Sequence, residues 1–205
     1  MHPEIRDLYR MGYGFGIGSV LFAAGAVLSA LQVDAIIPSV IFVVGAVCFT
    51  FAAGVQLLAA EHRHPERRMR DPDWMAAAVQ FPGTLAFNVM TVRALVMALQ
   101  PDQVAYGQVW SPDVVGSALF LISSWIAWHP IARAKRHHLI EGRSNVITLS
   151  NMLGSVFFAA SAWGAALLPS GEFRSPFWNN LGTFIGAAFF LLGAACLLPH
   201  KAERH

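Results

Sequence analysis

Polar and hydrophobic positions along this chain separate into six long apolar stretches divided by short charged ones. The stretches run Met11 to Val33, Ala35 to Ala60, Trp74 to Gln100, Val114 to Ala132, Ser144 to Gly171 and Ser175 to Pro199, and Arg93 is the one Lys, Arg, Asp or Glu inside any of them apart from the loop-proximal ends. A helix needs about 20 apolar residues to cross about 30 Å of hydrocarbon. The pattern therefore predicts an all-α polytopic membrane bundle, one membrane domain over 1–205, with six transmembrane helices at about 12–33, 36–60, 74–99, 113–132, 145–168 and 176–198. A cleaved signal peptide is the rival reading of the first stretch, after Arg6 and Arg10. It is set aside because the stretch exceeds a normal signal core and lacks a clean small-x-small cleavage site.

A shorter pattern recurs inside the stretches: Gly or Pro, a small residue, two variable positions, Phe, two more, then usually a small residue. The copies are Gly18-Ser19-x-x-Phe22-x-x-Gly25, Pro38-Ser39-x-x-Phe42-x-x-Gly45, Gly83-Thr84-x-x-Phe87-x-x-Met90, Gly116-Ser117-x-x-Phe120-x-x-Ser123, Gly154-Ser155-x-x-Phe158-x-x-Ser161 and Gly186-Ala187-x-x-Phe190-x-x-Gly193. Residues at these spacings share one helix face, where small side chains let backbones approach and the Phe fills the groove between them. The expected role is helix packing, and the simplest architecture is three related helical hairpins, one with two, three with four, five with six.

The segments Gln80-Phe81-Pro82-Gly83-Thr84-Leu85-Ala86-Phe87-Asn88, Trp110-Ser111-Pro112-Asp113-Val114-Val115-Gly116-Ser117 and Asn151-Met152-Leu153-Gly154-Ser155 resemble the YrhK-like membrane proteins of bacteria, in particular longer forms with several copies of that short domain. The resemblance implies an integral membrane protein. It carries over no functional residue, because the family has no established activity.

Composition agrees with the pattern, since 56% of the 205 residues are apolar and 13% are charged, against about 25% charged in soluble domains. An ordinary soluble enzyme is excluded. The placement of charge then gives an orientation. Arg6 and Arg10, then Arg63, Arg67, Arg68 and Arg70, then Arg133, Lys135, Arg136 and Arg143, then Lys201 and Arg204 all fall on one side of a six-helix chain. The other side holds Arg174 against Asp34, Asp102, Asp113 and Glu172. Basic short loops stay cytoplasmic during insertion, which predicts a bacterial inner-membrane protein with both termini in the cytoplasm. The basic loops are expected to meet anionic lipid head groups.

Candidate chemistry is sparse. Gln80, Thr84, Asn88 and Thr91 recur at helical spacing down helix three, and with Asn151 and Ser155 of helix five they form a polar interior stripe. Such a stripe either walls a cavity or bonds helices together. Pro82 interrupts the same helix and predicts a bend, with a carbonyl freed near Met75 to Ala78. Arg93 is the intramembrane cation, expected to snorkel, to pair with a group such as Asp113, or to hold an anion at the outer mouth.

No Asp or Glu falls within the six apolar stretches, which disfavours proton-driven transport. Ser123 and Ser124 lack the His and acid of a hydrolytic triad, so an enzyme is not expected. Cys48 and Cys196 read as apolar packing groups. The histidines, among them His62, His64, His129, His137 and His138, lie on the basic side, where neighbouring arginines repel a cation. No metal, haem or other cofactor is expected, and no nucleic-acid partner. Two functions remain. One is permeation or carriage of a small uncharged or anionic solute through the bundle. The other is a non-catalytic accessory or scaffold subunit, joined to a second copy or a membrane partner.

Overall fold

The computed structural model describes residues 3–63, 71–136 and 142–199. Six helices dominate them: α1 (Pro3–Ala30), α2 (Ile36–Arg63), α3 (Pro72–Leu99), α4 (Tyr106–Arg136), α5 (Gly142–Gly164) and α6 (Pro176–Leu197). One isolated antiparallel bridge joins Leu167 and Phe173 between α5 and α6. All six helices are long and apolar enough to cross a membrane. Their outward faces expose large apolar side chains, Val20, Val47, Leu85, Ile122, Val156 and Leu192 among them. An apolar exterior of this extent suits lipid and not water, so the chain is a multi-pass integral membrane protein.

Helix ends fall where backbone groups find partners. The Asp71 side chain caps α3 by accepting from Asp73 N at 3.0 Å, and Ser175 caps α6 ahead of Pro176. After α1 the amides of Leu31, Gln32 and Val33 return to the carbonyls of Val27, Ser29 and Leu28, with Gln32 at φ 55. The Asp34 carboxylate then accepts from Ile36 N at 2.9 Å and starts α2.

Several boundaries differ from the hydropathy pattern, and three of them have a local cause or consequence. Helix α1 begins at Pro3 instead of about 12, because Arg6, Asp7 and Arg10 form its early turns, with Arg10 Nη1 3.5 Å from Asp7 Oδ1. Helix α5 stops at Gly164 instead of about 168. A Cβ there would stand 2.7 Å from Asn179 N and 2.8 Å from Ser175 O, so α5 ends where α6 crosses it. Helix α4 begins at Tyr106 instead of about 113, which changes the far side of the molecule.

The helices follow one another round a ring, each packed on its sequence neighbours, and α6 closes on α1. A Cβ on Gly12 would fall 2.6 Å from Leu198 Cδ2, so the start of α1 meets the end of α6. The start of α1 and the end of α6 therefore share one end of the bundle, opposite the far end where α1 turns into α2.

Within each hairpin the two helices exchange Phe for Gly. Phe49 lies against Gly18 and Phe22 against Gly45; Phe120 against Gly83 and Phe87 against Gly116; Phe190 against Gly154 and Phe158 against Gly186. Each ring comes within 3.0 Å of the place where a Cβ would stand, so any larger residue would force the ring or the helix to shift. In α2 the exchanging ring is Phe49 and not the expected Phe42. The core copy there is Gly45-Ala46-x-x-Phe49-x-x-Ala52, seven residues further on, while Phe42 packs on Gly25 nearer the far end.

The six exchanged rings meet on the bundle axis in two layers. Phe22, Phe87 and Phe158, from the odd helices, have centroids 5.8 to 6.4 Å apart. Phe49, Phe120 and Phe190, from the even helices, are 5.7 to 6.2 Å apart. Hairpin partners link the layers at 5.2 to 5.5 Å. These tilted and edge-to-face contacts each add about 0.5–1.5 kcal/mol beyond simple burial, and all six rings are at most 6% exposed.

Candidate functional site

The helix-three stripe reaches three different places. Residues four apart advance 400° on a helix, so each step slants the stripe by about 40° and Gln80 and Asn88 diverge by about 80°. Gln80 therefore turns to α4, where Ser123 Oγ donates to its Oε1 at 3.3 Å and to Ala76 O at 2.8 Å. Ala76 lies in the segment where Pro82 was expected to free a carbonyl. Asn88 turns the other way, to α2, and its Nδ2 donates to Thr50 Oγ1 and to Thr84 O at 3.0 Å. Thr50 in turn donates to Ala46 O at 3.0 Å. Thr84 and Thr91 donate to carbonyls of their own helix, Phe81 O at 2.7 Å and Asn88 O at 3.2 Å.

Asn151 and Ser155 belong to a separate seam. Ser155 Oγ lies 2.8 Å from Ser124 Oγ and donates to Asn151 O at 2.9 Å, and Asn151 Oδ1 sits over Gly193 of α6. Of the six stripe residues, Asn88, Gln80 and Ser155 thus serve the α2–α3, α3–α4 and α4–α5 contacts, Thr84 and Thr91 bond within α3, and the Asn151 side chain meets α6. Thr50, which sequence reasoning passed over, is the main partner of Asn88. Its signal was modest: it is the one Thr in α2.

Arg93 pairs with a carbonyl instead of a carboxylate. Its Nη1 donates to Gln108 O at 2.9 Å. Gln108 is the residue four before Pro112, which lies inside α4 and has no N–H to donate to it. The guanidinium takes the place of the missing helical donor, and α4 runs through Pro112 back to Tyr106. Asp113, expected at the very start of the fourth helix, consequently stands two turns inside it.

That extension builds a cavity of about 200 Å³ at the far end. Phe22, Phe87 and Phe158, the odd ring layer, lie at its base, and its walls include Asp113, Tyr106, Trp110, Phe173, Asn179 and Thr183. Tyr106 Oη donates to Ala165 O at 2.7 Å and Trp110 Nε1 to Ala162 O at 2.9 Å, pinning α4 to α5. None of the six stripe residues lines this cavity, nor does Arg93.

Elsewhere the chemistry is thin. Among the described residues no three His, Cys, Asp or Glu side chains come together as a metal site. His129 stacks on Trp125 with centroids 5.6 Å apart. The basic groups Arg67, Arg68 and Arg70, with His64, His137, His138, Lys201 and Arg204, lie outside the described residues. Comparison with protein-family models, curated proteins and solved structures finds no match for this chain.

Proposed function

We propose that this protein is a non-conducting membrane scaffold or accessory subunit, in which the polar stripe of α3 holds helices together. The observation that carries this reading is the pair of stacked phenylalanine triangles, which fill the axis a solute would have to follow. The Asn88 amide adds to it. Its N–H groups are spent on Thr50 and Thr84, whereas a permeation wall needs donors free to replace a solute's water shell. In this reading both termini face the cytoplasm of a bacterial inner membrane, basic loops rest on anionic head groups, and a second copy or another membrane protein binds an outer flank. The likeness to YrhK-like proteins belongs to the same proposal and assigns no residue a role.

Flux through proteoliposomes tests it. Wild-type vesicles are expected to pass glycerol and chloride no faster than protein-free vesicles, and Asn88→Leu is expected to lower the unfolding midpoint in detergent without changing either rate. Wild-type flux above the protein-free rate, abolished by Asn88→Leu, would overturn the proposal and restore the permeation reading.

A further inference from the structure

The far-end cavity is lined by one acidic side chain, Asp113, and by no Lys or Arg. Asp113 makes no hydrogen bond or ion pair among the described residues, and its neighbours leave it in that condition. Arg93 is committed to Gln108 O. Arg174 lies over the Trp163 ring, 5.2 Å from its centroid, outside the cavity lining.

Donors that would suit an anion are largely spent. Tyr106 and Trp110 give theirs to α5 carbonyls, and Ser161 and Thr183 give theirs to Asn179 O at 2.7 and 2.9 Å. With their polar atoms tied to α5, the rings of Tyr106 and Trp110 line the space together with Phe173, whose centroid is 5.3 Å from that of Tyr106. A lone carboxylate among aromatic rings is the recognition chemistry of an organic cation. The carboxylate supplies the countercharge, and the ring faces attract a charge spread over alkyl groups. Partial burial of Asp113 and of the Tyr106 and Trp110 rings strengthens both terms relative to an open surface.

We propose that the far-end cavity is a binding site for one small organic cation of the quaternary or alkylammonium class. This goes beyond the scaffold reading and holds whether or not the bundle conducts. The cavity ends at the odd ring layer, so a ligand enters from the far end. The shared chemistry is an alkylammonium head, which a free solute or a lipid head group could supply.

The test uses the full chain in phosphatidylglycerol nanodiscs, with choline as probe and 3,3-dimethylbutan-1-ol as its neutral isostere. Choline is expected to bind saturably at one per chain, with the isostere at least about tenfold weaker, since loss of charge removes the carboxylate and ring terms together. Asp113→Asn is expected to weaken choline at least about tenfold, and Asp113→Glu to restore most of the affinity. Equal binding of the isostere to wild-type protein would overturn the proposal, and that comparison needs no variant. So would unchanged choline binding by a folded Asp113→Asn protein, or no binding at all. Added phosphatidylcholine that competes with free choline would identify a lipid head group as the source of the cation; absence of competition would identify a free solute.

Discussion

Arg93 shows how one side chain decides where a helix starts. A proline six residues into α4 would normally leave the Gln108 carbonyl bare, and the guanidinium on α3 supplies the missing donor. This gives a coupled prediction. Arg93→Met should destabilise the protein by about 1–2 kcal/mol, yet much less in a Pro112→Ala background, because an alanine at that position brings its own N–H to Gln108 O. A double-mutant cycle by SDS titration measures the coupling, and additive losses would show that Arg93 does not serve Pro112. A second pair contrasts two buried hydroxyls. Ser19 Oγ is buried with no hydrogen-bond partner among the described residues, whereas Ser155 Oγ joins α5 to Ser124 of α4. Ser19→Ala should therefore be neutral or slightly stabilising, and Ser155→Ala should cost about 0.5–1 kcal/mol in the same titration.

The elements themselves were largely legible in the chain, and the reasons for the exceptions are local. Six apolar runs of spanning length marked the six helices, because a bilayer permits few other ways to satisfy their backbones. The packing motif also located five of the six axial rings. It could not choose between Phe42 and Phe49, which are seven residues apart and so lie on nearly the same face of α2; the choice depends on which ring meets Gly18 across the hairpin.

The candidate site was less legible. Hydropathy placed Asp113 at the edge of the fourth helix because Pro112 and the polar residues before it look like a helix start. The compensating donor lies on another helix, beyond the reach of any local pattern. Close helix contacts make the next prediction. Gly182→Ala should cost about 1–3 kcal/mol, since its Cβ would stand 2.7 Å from Phe157 O and 2.8 Å from Ser161 N, backbone atoms that cannot swing aside. In the α1–α2 turn, Gln32→Gly should instead raise the thermal midpoint, because glycine adopts φ 55 without the steric cost a side chain brings.

At the scale of the whole molecule, a closed ring of helices leaves an axis, and the chain spends its aromatic side chains on filling it. The ring layers divide the interior into a far-end cavity and a sealed centre. Solute access from each side measures this most directly. With Cys48 and Cys196 replaced by Ser, single cysteines at Ser39, which lines the cavity, and at Ala187, buried beside the ring layers, are exposed in turn to a membrane-impermeant methanethiosulfonate reagent on either side. The account predicts that Ser39→Cys is labelled from the far side alone and Ala187→Cys from neither side. Labelling of Ala187→Cys from either side would mean that the axis is open, and would contradict it.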